Sequence, residues 1–312
     1  MSQRRQTMPC ATPVNLIVIL GPTACGKTAL AVAAARLLQG EIMSADSRQV
    51  FRGMDLGTGK DLDAYGDVPH HLIDIRAAGE EFSVFDFQKC FREAFNLVTA
   101  RGRLPILVGG TGLYLDAVLR GYRLVDVPED PVLRAALSAL SDGELRQRLL
   151  TLAPDQHNTT DLLQRERLVR AIEIAICTSR GATQEVVELP ALAPLVFGIR
   201  MAREELRRRI TERLRQRLAL GLVDEVRSLL ASGVSAQQLD SYGLEYRFIS
   251  RHLLGELNRN DMFQKLNSAI HDFAKRQETW FRRMEKHGVP IHWLDASGDL
   301  LQQLLAVVRR QG

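Results

Sequence analysis

Short apolar segments alternate with longer amphipathic ones along most of this chain. The apolar segments are Leu16–Leu20, Ile42–Met43, Leu72–Ile75, Ile106–Val108, Val196–Ile199 and Ile291–Leu294. Runs this short and this apolar are typical of strands that are buried on both faces, and the helical segments between them supply the crossovers. The pattern therefore predicts an α/β fold, a parallel sheet with helices on both of its faces.

The alternation stops between residues 131 and 180, where only helical periodicity remains. The following segment, 181–194, contains two prolines and leads back to an apolar strand, as expected of a returning connection. We therefore predict an all-helical lobe inserted into the sheet domain. The expected core domain comprises residues 13–120 and 195–312, and the expected lobe comprises residues 121–194.

Two long amphipathic helices are predicted after the lobe. In the first, over Glu204–Ala219, apolar residues recur every four positions and arginines occupy the remaining face. The second spans Met262–Lys286 and carries Trp280 and Phe281, which we interpret as core aromatics in preference to a stacking platform for bases.

The segment between the first predicted strand and the first predicted helix has the spacing of a phosphate-binding P-loop. Its residues are Gly21, Pro22, Thr23, Ala24, Cys25, Gly26, Lys27 and Thr28. The glycines let backbone N–H groups turn toward an anion, Lys27 adds a positive charge, and Thr28 offers a hydroxyl to Mg²⁺. A chance glycine turn is the alternative, but strand, loop and helix are all in place. We therefore predict a di- or triphosphate ligand.

Charge and composition add a second expected partner. The chain has 312 residues, of which 46% are hydrophobic and 25% charged, and a net charge of +4. Its arginines cluster at positions 203–217, and a second basic group covers Lys275–Lys286. Such clusters favour a polyanionic partner, although solvated helix faces also carry arginine. No apolar run approaches the ~18 residues of a membrane span, and the four scattered cysteines indicate neither a disulfide framework nor a zinc site.

Polar residues follow the second predicted strand, at the edge where parallel sheets bind ligands. They are Asp46, Ser47, Arg48 and Gln49. A helix N-cap is an equally good interpretation of Asp46, and Ser47 would serve as a cap equally well. The hydrolytic machinery of a nucleotide triphosphatase is not recognisable, because Asp74 follows only a short apolar run and the run ending at Val108 leads into glycines.

Several blocks together resemble the tRNA dimethylallyltransferases, the tRNA isopentenyl-transfer enzymes. The blocks are Gly21–Thr28, Asp46–Lys60, Pro69–Asp74, Val108–Tyr114, Arg209–Arg213 and Ala274–Arg282. They occur in the family's order and run from the P-loop nearly to the C-terminus. Two positions depart from the family: Cys25 stands where serine is common, and Ser241–Arg247 differs from the commoner Gly-Tyr-Arg form. The resemblance is to the bacterial type, since the cysteine–histidine finger of some eukaryotic relatives is absent.

The resemblance implies transfer of a dimethylallyl group from dimethylallyl diphosphate to N6 of the adenosine immediately 3′ of the anticodon, with release of diphosphate. It implies that Asp46 is the general base and that Thr23 positions the diphosphate or its bridging oxygen. Arg213 would be the cation on the leaving diphosphate, which residues 21–28 bind. Thr28 would hold Mg²⁺ together with that diphosphate.

The resemblance also implies the tRNA anticodon stem-loop as partner. The residues implied to contact tRNA are Asp46, Ser47, Arg48, Gln49, Thr111, Arg134, Arg167, Arg170, Lys275, Arg276, Gln277, Arg282 and Arg283. The adenosine would have to leave its stack to reach a site at the sheet edge. We expect a cytoplasmic enzyme with no membrane contact, and nothing in the sequence demands more than a monomer.

Other functions remain open from the residues alone. A P-loop kinase of a small metabolite would need a carboxylate after a second strand, and prenylation of free adenine nucleotides would not need the basic helices. A nucleotide-switched RNA-binding protein would use the P-loop as a sensor, but its switch aspartate is missing. Without the resemblance, nothing in the sequence favours Arg213 over the other arginines of its helix as a site residue.

Overall fold

The computed structural model describes residues 13–154, 165–179 and 186–311. In these residues six strands form one sheet in the order β3-β2-β4-β1-β5-β6. The strands are β1 Leu16–Leu20, β2 Gly40–Ala45, β3 His70–His71, β4 Leu104–Gly109, β5 Pro194–Arg200 and β6 Ile291–Asp295. All neighbouring pairs are parallel, so the predicted parallel sheet is confirmed. The carboxyl ends of its strands share one edge.

Helices connect the strands and also follow the last one. They are α1 Lys27–Leu38, α2 Val84–Ala100, α3 Gly112–Leu119, α4 Pro131–Ser138, α5 Asp142–Leu152, α6 Arg165–Ser179, α7 Arg203–Ala219, α8 Leu222–Ala231, α9 Ala236–Tyr242, α10 Leu244–Leu253, α11 Arg259–Lys286 and α12 Leu300–Gln311. The two long helices predicted after the lobe correspond to α7 and α11. None of the described helices combines the length and apolarity that a membrane span requires.

Alternate residues of the central strand pack into two separate cores. Ile17 and Ile19 belong to the core formed with α1, α7, α8 and α10. Leu16, Val18 and Leu20 belong to the core formed with α2, α3 and the end of α11. Because side chains alternate along a strand, this division places helices on both faces of the sheet, as predicted. Phe281 is fully buried in the second core, as expected of a core aromatic.

The predicted strand Leu72–Ile75 is wrong. The strand at this edge is the two-residue β3, and the chain leaves the extended conformation directly after it, because Leu72 and Asp74 have left-handed φ angles of 66° and 57°. Leu72 is apolar because its side chain is buried in the second core, not because its backbone joins the ladder. Asp74 instead forms an ion pair with Lys60.

The chain divides into two compact units, Met1–Tyr122 with Leu189–Gly312 and Arg123–Glu188. The second unit contains α4, α5 and α6, whose leucine and isoleucine side chains form a small core of their own. An antiparallel bridge between Val125 and Val186 joins its two ends. The parts of the expected lobe at residues 155–164 and 180–185 lie outside the described residues.

A half-buried carboxylate holds the loop that follows β2. Glu225 on α8 accepts hydrogen bonds from the backbone N–H groups of Asp55 (2.9 Å), Leu56 (2.7 Å) and Gly57 (3.0 Å). Its Oε1 also accepts a bond of 2.7 Å from the hydroxyl of the buried Tyr246. Four donors converge on one side chain, so the position of this loop depends on α8.

We expect Glu225→Gln to lower the free energy of unfolding by about 3 kcal/mol, because an amide brings a donor against a set of donors and loses the charge. Urea denaturation measures the loss. The exposed Glu256, for which the structure shows no side-chain hydrogen bond within the described residues, is the matched control: Glu256→Gln should unfold like the unmodified protein. Equal stability of the two variants would contradict the role given to Glu225.

Candidate functional site

The loop between β1 and α1 offers donors at the carboxyl edge of the sheet. Ala24 and Gly26 have left-handed φ angles of 63° and 95°, which turn the loop back before α1 begins. The N-terminus of α1 has no side-chain cap and no acidic residue in its first turn. Its first N–H groups therefore remain for an anionic ligand. Lys27 Nζ donates to the carbonyl of Pro22 over 3.2 Å, within the same loop.

Gln277 supports this loop from α11. Its Oε1 accepts from the backbone N–H of Thr23 over 2.8 Å, and its Nε2 donates to the carbonyl of Gly110 over 2.9 Å. The side chain is buried, and a Cβ at Gly110 would overlap its Nε2. One amide therefore ties the P-loop to the end of β4.

A cleft of about 530 Å³ opens beside the P-loop. One side includes residues of the P-loop and of the first turn of α1, among them Lys27 and Thr28, and the other consists mostly of α7. The charged residues that line it are Lys27, Arg208, Arg209, Arg213, Arg217, Asp61 and Glu212. Five cations face two carboxylates, so the cleft suits a ligand with several negative charges.

The guanidinium groups of Arg213 and Arg217 share the space above Gly59. A Cβ at Gly59 would overlap Arg217 Nη2 and would lie 2.7 Å from Arg213 Nη2. Gly59 has a left-handed φ of 66°, so both the space and the backbone require glycine. Arg213 Nη2 donates to Asp61 Oδ2 over 2.5 Å and to the Gly59 carbonyl over 3.3 Å.

Asp46 follows β2 directly at the same edge. Its Oδ1 accepts from the backbone N–H of Arg48 over 2.9 Å, and residues 47–50 form a turn rather than a helix. The helix N-cap interpretation of Asp46 and Ser47 is therefore wrong: Asp46 closes a local turn through Oδ1, and the residue is half-buried. Ser47 N–H donates to Thr111 Oγ1 over 3.0 Å, which ties the ends of β2 and β4 together.

The strand order sets the distance between this carboxylate and the P-loop. β4 lies between β2 and β1, so the two strand ends are two inter-strand spacings, or ~10 Å, apart. Glycine at the end of β4 allows β2 and β4 to approach closely there, because a Cβ at Gly109 would overlap the carbonyl of Ala45. A ligand with a diphosphate at one end and a reactive group at the other fits an edge arranged in this way.

Comparison with known proteins identifies the family. The family described as IPP transferase matches residues 49–284 of this chain. The chain belongs to the IPP transferase family. It is 68% identical to tRNA dimethylallyltransferase 2 of Syntrophotalea carbinolica, over 94% of this chain and 98% of that protein. It is 61% identical to tRNA dimethylallyltransferase 1 of Geotalea uraniireducens, over 95% of this chain and 97% of that protein.

Solved structures share the fold of this IPP transferase. The full-length tRNA isopentenylpyrophosphate transferase of Bacillus halodurans superposes with a TM-score of 0.69 at 32% identity, covering 95% of each chain. A eukaryotic dimethylallyltransferase acting on tRNA superposes with a TM-score of 0.74 at 22% identity, covering 95% of this chain and 77% of its own. At that identity the second likeness concerns the fold alone.

Four of the residues implied to contact tRNA lie on the exposed surface of α11 in this IPP transferase. They are Lys275, Arg276, Arg282 and Arg283. The guanidinium of Arg276 lies 5.9 Å from the ring centre of Phe273, and that of Arg283 lies 5.9 Å from the ring centre of Trp280. Gln277 differs from its exposed neighbours, because both ends of its amide already bond to the P-loop and β4.

The arginines of the second unit divide into two kinds. Arg134 and Arg170 both bond to Glu173, with N–O distances of 2.7 Å and 3.1 Å, and Arg170 also donates to the carbonyl of Val127. Their guanidinium groups thus stabilise the unit itself. Arg167 is exposed and forms no ion pair with any described residue, so it is the arginine of this set that is available to a phosphate.

Arg48 and Gln49 bond to other loops. Arg48 Nη1 donates to the carbonyl of Ser241, within the segment that departs from the family pattern. Gln49 accepts from Ser44 Oγ over 2.9 Å and donates to the carbonyl of Gly59 over 3.1 Å. The Gln49 contact links the turn after Asp46 to the glycine beneath the two guanidinium groups.

Three charged residues of the cleft and its surroundings were not singled out as site residues from the sequence. Arg217 lies one helical turn beyond Arg213 on the same face of α7, and this i, i+4 spacing is the signal that could have found it. Asp61 lies 2.5 Å from Arg213, and Glu245 lies 3.9 Å from Arg217. Both carboxylates are distant from α7 in sequence, so no local pattern indicates them.

Gln277→Leu should weaken binding of inorganic pyrophosphate and lower the free energy of unfolding by about 2 kcal/mol, since it leaves the Thr23 N–H and the Gly110 carbonyl without a partner. Binding of tRNA should change much less. Calorimetric titration with pyrophosphate and urea denaturation measure both effects, with Gln264→Leu, at an exposed position of the same helix, as control. A variant that binds pyrophosphate normally but loses tRNA would instead place Gln277 at the RNA.

Proposed function

We propose that this chain transfers a dimethylallyl group from dimethylallyl diphosphate to N6 of the adenosine immediately 3′ of the anticodon in tRNA and releases diphosphate. The observation that carries the proposal is 68% identity, over nearly the whole chain, to a protein named tRNA dimethylallyltransferase 2. The cationic cleft beside the P-loop supports it, because a diphosphate needs just such a site. Asp74, the candidate carboxylate of a kinase or triphosphatase, is paired with Lys60, and the strand next to the P-loop strand, β4, leads into glycines and not into a carboxylate.

The reaction forms a bond between N6 and the allylic carbon and breaks the bond from that carbon to the diphosphate oxygen. Negative charge develops on the leaving diphosphate, so preorganised donors and cations around it lower the barrier. In our proposal residues 21–28 bind the diphosphate, Thr23 positions it or its bridging oxygen, and Lys27 and Arg213 stabilise its charge. These groups are held in place before the substrate arrives.

The adenine amine is a weak nucleophile and loses a proton as the new bond forms. We assign Asp46 as the general base that takes this proton. Its backbone turn fixes the carboxylate through Oδ1, and the residue is half-buried at the sheet edge. The ~10 Å between the ends of β2 and β1 would separate the base from the leaving group by the length of the prenyl donor.

A magnesium ion fits the residues present at the P-loop. Thr28 lies in the first turn of α1 and lines the cleft beside Lys27, and a hydroxyl is an oxygen ligand of the kind Mg²⁺ prefers. Thr28 would hold the ion together with the oxygens of the diphosphate. The ion would supply further charge stabilisation to the leaving group.

The proposal for tRNA rests on exposed cations. The residues of α11 and Arg167 are accessible to phosphates, whereas Arg134 and Arg170 would first have to leave Glu173. Asp46, Ser47 and Thr111, together with Arg48 and Gln49, would face the flipped adenosine and its neighbours. We propose that the enzyme acts as a monomer in the cytoplasm.

Incubation with unmodified tRNA and dimethylallyl diphosphate, followed by digestion to nucleosides, tests the function. We expect isopentenyl-adenosine as the product and no transfer from ATP. Transfer of a group from ATP at a comparable rate, without any prenylated nucleoside, would replace this proposal with the kinase interpretation.

Asp46→Asn should reduce the rate of the chemical step by about a hundredfold or more, because the amide cannot accept the proton. Its carbonyl oxygen can still accept from the Arg48 N–H, so the local turn and the affinity for tRNA should be kept. Single-turnover measurements with bound tRNA measure the rate. Normal turnover would mean that Asp46 only closes its local turn and is not the general base.

Arg213→Gln should raise the barrier by roughly 3 kcal/mol, the effect of removing one preorganised charge stabiliser. Arg207→Gln and Arg215→Gln, at exposed positions of the same helix, should cost little beyond weaker RNA binding. The measured quantity is kcat/KM for dimethylallyl diphosphate. An equal loss in all three variants would mean that α7 acts only as a general electrostatic surface.

A further inference from the structure

Arg217 is a buried cation with an unused donor. Its side chain is only 11% exposed, yet its Nη2 atom has no hydrogen-bond partner among the described residues. Burial, together with the neighbouring charge of Arg213, lowers the pKa of Arg217 to about 10. A buried guanidinium nitrogen without an acceptor is costly. Arg217 lines the cleft beside the P-loop, and the half-exposed Asp61 provides the carboxylate oxygen near its Nη2 atom. An anion that replaces this carboxylate would supply the missing acceptor.

The two nearest carboxylates only partly compensate Arg217. Asp61 Oδ1 lies 3.9 Å from Nη2 and Glu245 Oε1 lies 3.9 Å from Nη1, both too far for a hydrogen bond. Asp61 is bonded closely to Arg213 instead, at 2.5 Å. Burial raises the pKa of Glu245, which disfavours its charged form. The pair of guanidinium groups therefore keeps an excess of positive charge.

The backbone of Asp61, which lines the cleft, has an uncommon conformation. Its φ of 47° is left-handed, which is uncommon for a residue with a Cβ, and it precedes a short 3-10 turn, Leu62–Ala64. Its carboxylate is half exposed. It thus lies where an anionic ligand entering beside Lys27 would meet Arg213, and it is accessible enough to be exchanged.

We propose that Arg217 is a second guanidinium ligand of the diphosphate beside Arg213, and that the Asp61 carboxylate occupies their shared anion position until the diphosphate displaces it. This inference rests on the proposed function, because it names a further binding residue of the same site. The requirement for glycine at position 59 follows from it: any side chain there would separate the two guanidinium groups.

The alternative is that Arg217 only neutralises Glu245 inside the core. That role predicts a normal direct bond between the two side chains, whereas their closest atoms are 3.9 Å apart. It also gives no reason for the unbonded Nη2 atom to lie on the side of Gly59 and Arg213. The two roles differ in what removal of Arg217 does to binding of an anion.

Calorimetric titration of the full chain with inorganic pyrophosphate in the presence of Mg²⁺ tests the proposal. We expect Arg217→Gln to weaken pyrophosphate binding by about tenfold or more, the effect of losing one charged hydrogen-bond donor. Arg217→Lys should recover part of the affinity, and affinity for tRNA should stay within about twofold. Arg207→Gln, at an exposed position of α7 outside the cleft, should bind pyrophosphate normally.

A paired variant separates binding from stability. Arg217→Gln alone leaves Glu245 buried without a cation, so the double variant Arg217→Gln with Glu245→Gln removes both charges. We expect it to regain thermal stability but not pyrophosphate affinity. Affinity within twofold of the unmodified protein in the double variant would overturn the role of Arg217 as a ligand.

Asp61→Asn tests the displacement. Removal of the competing charge should tighten pyrophosphate binding several-fold and leave tRNA binding unchanged. Unchanged or weaker pyrophosphate binding would overturn the exchange. Pyrophosphate binding is measured without tRNA or a prenyl donor. Failure to form isopentenyl-adenosine would therefore count against the proposed function, and it would not change what the binding measurements say about Arg217.

Discussion

Repulsion between the guanidinium groups of Arg213 and Arg217 is the constraint on which the cleft depends. Like charges side by side at low exposure are stable only where the surrounding chain holds both of them. Gly59 gives them space, and Asp61 provides one carboxylate. The loop that carries these two residues is fixed from behind, since Glu225 accepts its N–H groups and the buried Lys60 bonds to Asp55 and Asp74. The free-energy cost of bringing these positive charges together is therefore met when the chain folds and not during the reaction. Such preorganised charge favours electrostatic catalysis.

The parallel sheet brings the remaining parts to the same edge. β1 leads into the P-loop, β2 leads into Asp46, and β4 between them ends in Gly109 and Gly110, of which Gly110 accepts a hydrogen bond from Gln277 of α11. α11 crosses this edge with two kinds of residue on different faces. Gln277 reaches inward to Thr23 and Gly110, whereas the basic residues beside it in sequence are exposed. One helix therefore supports the diphosphate loop and offers cations to an RNA backbone, so the two substrates of the proposed reaction share a structural support.

The sequence was sufficient for features that depend on neighbours in the chain. Five of the six strands follow from short apolar runs, and the P-loop follows from its own spacing. It was insufficient where tertiary packing decides: Leu72 is apolar but lies in a left-handed turn, and Asp46 closes a turn where a helix cap was equally expected. Gln277 meets Thr23 across 254 positions of sequence. The segment Ser241–Arg247 departs from the family pattern, and it is from this segment that Glu245 approaches Arg217.

The exchange of Asp61 for a ligand bears on selectivity among anions. A carboxylate already bonded to Arg213 is displaced only by an anion that gains more from the cleft than the carboxylate does. A singly charged anion would replace one charge by an equal one and would gain little. A diphosphate carries more charge and more acceptor oxygens, and it can bond at once to the P-loop N–H groups, to Lys27 and to both guanidinium groups. Competition with Asp61 thus favours the binding of multiply charged ligands over singly charged ones. The unbonded Nη2 of Arg217 offers such a ligand one more hydrogen-bond donor.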